Sequence, residues 1–139
     1  MQRRTIQFSL LAMLLLLPLP VRGDSQDPFL PIRQLSDEIY RLSQEMIHHG
    51  SEGHADEVVK YGKKMIDRTE KLIAKIESNE SPQLQKEKSK LLSSLKTTLE
   101  RTREAVRLGE GGKTTEAFEA SRRASFQAKI PRQQIYAIQ

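Results

Sequence analysis

From residue 32 onward, apolar side chains recur at helical rather than strand spacing. Ile32, Leu35, Ile39, Leu42 and Met46 are spaced 3, 4, 3, 4, one seam of a helix expected from Ile32 to His49. A wider stripe follows through Ala55, Val58, Val59, Gly62, Met65, Ile66, Thr69, Leu72, Ile73 and Ile76. It predicts a second helix from about His54 to Glu77 that faces several neighbours. Leu84, Leu91, Leu92, Leu95, Leu99, Thr102 and Val106 predict a third helix ending near Leu108. Ala117, Phe118, Ala120, Ser121, Ala124 and Ala128 predict a fourth that begins near Thr114. The breaks carry turn chemistry. Gly50-Ser51-Glu52-Gly53 and Gly109-Glu110-Gly111-Gly112 close the first and third helices, with Gly50 expected in the left-handed position after a helix end. Ser81 is placed to cap the third helix, with Pro82 at its first position, where a missing N–H is harmless. Pro131 is expected to stop or kink the fourth helix. Residues 131–139 then form a tail whose docking the pattern leaves open.

The two hairpins read as copies. A shift of 59 residues places Glu45 on Glu104, Ile47 on Val106, Gly50 on Gly109, Gly53 on Gly112, Glu57 on Glu116, Gly62 on Ser121 and Lys64 on Arg123. One hairpin cannot bury its own stripe, whereas two packed together can, and short loops make sequential helices antiparallel. The expected fold is all-α: an up-down-up-down antiparallel four-helix bundle of two repeated hairpins over residues 32–130. A dimer of hairpins or a long coiled coil is the rival. Gly62 and Ser121 admit two readings, close backbone packing or a small cavity. On the outer faces Asp37 precedes Arg41, Asp56 precedes Lys60, Asp67 precedes Lys71 and Glu119 precedes Arg123 by four residues. Each such pair adds only about 0.2–0.5 kcal/mol, the mark of solvated faces.

Ahead of the bundle the pattern changes. Arg3 and Arg4 precede an apolar run from Phe8 to Leu19, broken by Pro18 and Pro20 and followed by Val21-Arg22-Gly23. This is the layout of a secretory signal peptide over residues 1–23, with residues 24–31 an extended lead-in. The run is short for the roughly 20 residues of a bilayer span. The expectation is a periplasmic or secreted protein with no membrane anchor after cleavage, and a retained anchor is the alternative.

Composition then narrows the chemistry. The formal net charge of +5 falls to about +2 once Arg3, Arg4 and Arg22 are set aside, with no clustered basic face of the kind that binds nucleic acid. The chain has no cysteine, which removes disulfides, thiolate metal sites and cysteine nucleophiles. No Ser-His-Asp order, phosphate-cradling glycine loop or doubled E-x-x-H of the kind typical of di-iron bundles is present, so an enzyme is not expected.

All three histidines, His48, His49 and His54, lie in one short stretch, flanked by Glu45, Glu52, Asp56 and Glu57. A helix–turn–helix junction can converge such donors on one point, and neutral imidazole with carboxylate suits Cu(II), Ni(II) or Zn(II). The same residues also suit the electrostatics of helix ends, with histidine at a C-terminus and acid in the next first turn. The second turn has Leu108 where His49 stands and Lys113 where His54 stands, so the turn itself does not require histidine.

The segment His49 to Tyr61, H-G-x-x-G-H-A-D-x-x-x-x-Y, resembles the small metal-binding protein family, exported histidine-rich four-helix bundles built on this hairpin. The resemblance implies binding of a divalent ion, copper first with nickel or zinc as alternatives, for sequestration or buffering. It carries over His49, His54 and Asp56, to which His48 and Glu57 are added as neighbouring donors. The chain departs from the pattern in having Tyr61 on helix 2 and no histidine in the second copy. That implies a single site, weakening in acid because a protonated imidazole cannot ligate. The alternative is a metal-free structural or interaction bundle with an envelope protein as partner.

Overall fold

Four helices form where the stripes lie: α1 (Leu30–Ser51), α2 (Ala55–Glu77), α3 (Pro82–Glu110) and α4 (Thr114–Tyr136). The computed structural model describes residues 27–139, so the expected signal peptide over residues 1–23 and residues 24–26 lie outside the described residues. Each helix packs on its two neighbours in the ring α1–α2–α3–α4, and α2 and α4 also touch across the diagonal. The fold is an antiparallel four-helix bundle. Its core is drawn from all four helices, with Ile39, Met46, Met65, Leu72, Leu91, Leu95 and Ile135 all but inaccessible. No helix among the described residues is long and apolar enough to cross a membrane.

The repeat is visible in the burial. Val58, Gly62, Met65, Thr69, Leu72 and Ile76 are buried on α2, and their partners under the 59-residue shift, Ala117, Ser121, Ala124, Ala128, Pro131 and Ile135, are buried on α4. The cross-contacts also exchange. A Cβ on Gly50 of α1 would meet the Phe118 ring of α4 at 3.1 Å, and one on Gly109 of α3 would meet Val59 of α2 at 2.8 Å. Val59 and Phe118 are themselves equivalent, so the two hairpins embrace each other about a pseudo-twofold axis. Gly62 faces Val106 and Met46 with no room for a side chain, which makes it a packing glycine rather than a cavity wall.

Three expectations need correction. Gly50 lies inside α1, buried under Phe118; the left-handed residue is Gly53 (φ 82°), and its equivalent is Gly112 (φ 70°). The lead-in becomes helix at Leu30, because Pro31 sits in the first turn, where proline is tolerated, and Phe29 plugs into the core. Pro131 does not stop α4, which runs on to Tyr136. A proline inside a helix costs about 3 kcal/mol, and tertiary anchoring offsets it. Pro131, Ile135 and Ile138 are buried. Arg132 Nε and the Tyr136 hydroxyl donate to Asp37 at 2.7 and 2.6 Å, and Arg33 donates to the Ile138 carbonyl at 2.9 Å.

Candidate metal centre

The α1–α2 turn is closed by two backbone hydrogen bonds: His54 N–H to the His49 carbonyl at 2.9 Å, and Gly53 N–H to the Gly50 carbonyl at 3.1 Å. This pair of bonds, with a left-handed glycine between them, is a Schellman motif. It folds the second residue past the helix end back over the last turn. In most proteins that brings two apolar side chains together. Here it brings together His49 and His54, whose ring centroids stand 6.0 Å apart.

Glu52 occupies the bend between them. Its Oε2 lies 3.4 Å from His54 Nδ1 and 3.6 Å from His49 Nδ1, while its Oε1 lies 3.7 Å from His48 Nε2. One ligand atom each from His49, Glu52 and His54 falls within a 4.8 Å group. In a tetrahedral site with bonds of about 2.0–2.1 Å, neighbouring ligand atoms stand about 3.3 Å apart, close to these separations. His49 is the most enclosed of the three histidines. Its ring stacks on Tyr61 at 5.2 Å and 8°, and its Nδ1 is buried with no hydrogen-bond partner. A buried ring nitrogen is ordinarily paired, so this one fits a ligand the turn could hold. Its Nε2 faces Glu45 at 4.0 Å, a second carboxylate that can orient the ring.

The structure treats the remaining expected donors differently. His48 is exposed, yet Glu52 Oε1 lies beside it, which leaves it within side-chain reach of the group. Asp56 is exposed on the first turn of α2, outside the group. Glu57 faces Lys60, which donates to it at 2.9 and 3.1 Å, also outside the group. Glu52 supplies the carboxylate instead. Its signal lay in the spacing: it is three residues after His49 on the same helical face and two before His54 across the bend. The capping role is not what places His54, which stands at the N-cap of α2 with no side-chain capping bond. Tyr61 is a platform under His49 rather than a donor, with Lys60 and Lys64 each 5.4 Å from its ring centre.

The α3–α4 turn repeats the frame without the chemistry. Lys113 N–H bonds to the Leu108 carbonyl at 3.0 Å and Gly112 N–H to the Gly109 carbonyl at 2.9 Å. Lys113 (φ −85°, ψ 74°) copies His54 (φ −89°, ψ 76°). Both turns share one pole, since a Cβ on Gly53 would lie 3.9 Å from Thr114. No family model matches the chain, and neither does any curated protein or solved structure.

Proposed function

We propose that this protein binds a divalent metal ion at His49, Glu52 and His54, with His48 as the further donor within reach, and acts as a metal-sequestering or buffering bundle. The observation that carries this reading is the buried, unpartnered His49 Nδ1, aimed at the Glu52 oxygen that also faces His54. The donor set of imidazole and carboxylate suits Cu(II), Ni(II) and Zn(II). Two side chains at the rim are more than half exposed, 63% for His48 and 55% for His54, which suits an ion that is taken up and released. The leader pattern favours an exported protein, and the resemblance to the small metal-binding family belongs to the same reading.

The test is isothermal titration of the bundle with Cu(II), Ni(II) and Zn(II). One ion per chain is expected, with binding lost in His49→Ala/His54→Ala while the helical circular-dichroism spectrum stays unchanged. Absence of heat at tens of micromolar, or an affinity indifferent to the two substitutions, would leave the metal-free interaction bundle as the reading.

A further inference from the structure

The repeat also serves as an internal control for the outer face of α4. Most of the pseudo-equivalent outer positions on α2 and α4 bear polar or charged residues, as a solvated helix requires. Phe126 does not. Its side chain is 69% exposed, while its twin on α2 is Asp67, ion-paired to Lys71 at 2.9 Å. The fold therefore does not require an aromatic at this place, and leaving one in water is unfavourable.

Two positions around Phe126 also gain a cation relative to the twin face. Arg122, Phe126 and Lys129 share one face of α4 at spacings of four and three. Lys129 stands where α2 has Glu70, and Arg101 stands where α1 has the buried Leu42. Together with Arg123 these residues line a concavity of about 630 Å³. Its counter-charges are few. Arg122 meets Glu119 at 3.3 Å, Arg101 and Arg123 share Glu104 at 3.5 and 3.4 Å, and Lys129 has no ion-pair partner among the described residues. Such exposed pairs are worth under about 1 kcal/mol and exchange readily for another anion. The imbalance extends over the hairpin: residues 80–139 hold 12 basic and 7 acidic side chains, against 8 and 10 in residues 27–79.

We infer that the outer face of α4 docks on an anionic lipid surface, with the cationic concavity receiving phosphate headgroups and Phe126 entering the interface between them. The concavity has the volume of one small-molecule site. Phe126 stands exposed among cations, which matches the boundary of a bilayer, where charge and hydrocarbon lie within a few ångströms. Docking of this kind is peripheral. It is independent of the metal reading, since Arg122, Phe126 and Lys129 are not among the donors at the α1–α2 turn.

The test is co-sedimentation of residues 27–139, which carry the whole bundle, with vesicles of phosphatidylcholine alone or with about one-third phosphatidylglycerol. Binding is expected only to the anionic vesicles, and lost at high salt. Phe126→Ser is expected to lower partition at least about tenfold. Arg122→Glu with Lys129→Glu is expected to lower it more than about twentyfold, at about fivefold per charge. Lys63→Glu with Lys64→Glu on the twin face is expected to cost less than about fivefold. All these positions are exposed, so each variant keeps its melting temperature to within a few degrees. Equal binding to neutral vesicles, indifference to Phe126→Ser, equal losses from the twin face, or capture of an acidic peptide without any vesicle binding would overturn the proposal.

Discussion

The two turns at the shared pole have one backbone and two chemistries. Each is a Schellman motif with a left-handed glycine, and each buries its first glycine under a side chain of the opposite hairpin. In the α3–α4 turn the juxtaposed pair is Leu108, which is buried, and Lys113, which extends into solvent. That is the ordinary use of the motif, an apolar residue of the last turn shielded by what folds over it. In the α1–α2 turn the same positions hold imidazoles, and a carboxylate fills the bend where Gly111 stands in the twin. The lesson is that the frame is paid for by packing and hydrogen bonds common to both copies. The histidines of one copy are therefore free of any folding duty the other copy lacks.

The strongest way to break the comparison is to convert the first turn into the second. His49→Leu with His54→Lys is expected to lower divalent-ion affinity by at least about a hundredfold while keeping the fold, since a site loses roughly tenfold or more with each disturbed ligand. Titration calorimetry and thermal melting read the two effects separately. The reverse conversion sharpens it. Leu108→His, Gly111→Glu and Lys113→His should raise the stoichiometry from one ion to two. Gly111 accepts a side chain because its φ is −79°, within the ordinary right-handed region. The graft is expected to cost about 1–3 kcal/mol, because Leu108 is only 8% exposed and a buried polar ring needs a partner. Metal should restore part of that loss in a melting experiment.

Smaller effects test the shared frame. Gly53→Ala and Gly112→Ala should each destabilise by about 1 kcal/mol, and by similar amounts, since both force a Cβ into the left-handed region. Chemical denaturation would measure it, and a large difference between the two would show that the turns are not equivalent. Tyr61→Ala, which removes the platform under His49, should weaken metal binding by several-fold without abolishing it.

The smallest effect belongs to the opposite pole, where the copies also differ. Asp37, Arg132 and Tyr136 tie the end of α4 to α1, and their equivalents, Lys96, Ile73 and Glu77, form no such tie among the described residues. Partial burial pushes the Asp37 carboxyl up. Hydrogen bonds from Tyr136 and Arg132, with the Arg132 charge, outweigh it and hold Asp37 below the usual carboxylate range. The hydrogen bond to Asp37 raises Tyr136 above the usual phenol range. A lowered acid contributes above its unfolded pKa, near 4, and loses its contribution as pH falls through the folded value. A raised phenol contributes below about 10 and loses it as pH rises through its folded value. Asp37→Asn should therefore flatten both the acid and the alkaline sides of the melting-temperature profile. Near neutral pH the cost should be no more than about 1 kcal/mol, because the group is largely solvated. An unchanged profile would remove the tie from the account of why α4 continues past Pro131.

Much of the bundle could be read along the chain. Apolar spacing located the first three helices to within a few residues and the start of the fourth, and Ser81 caps α3 by accepting from Leu84 N–H at 3.4 Å. The convergence of His49 and His54 was legible too, because the motif that joins them is local. The carboxylate was not. Asp56 carries the motif resemblance and Glu57 is its neighbour, but both stand on the first turn of α2, and the bend of the chain puts Glu52 between the rings.

By itself, then, the amino-acid order determined everything that depends on near neighbours: helix periods, caps, the pair of twin turns and the imidazoles on one of them. Tertiary structure decided that Gly50 lies inside α1 under the Phe118 ring of α4, which leaves the left-handed position to Gly53. It also decided that α4 outlasts its proline, because the anchors that offset the lost hydrogen bond come from a helix nearly a hundred residues away in the chain. Local preference sums over a few residues, whereas burial and long-range pairing act on whole faces at once, and where the two conflict the larger sum prevails.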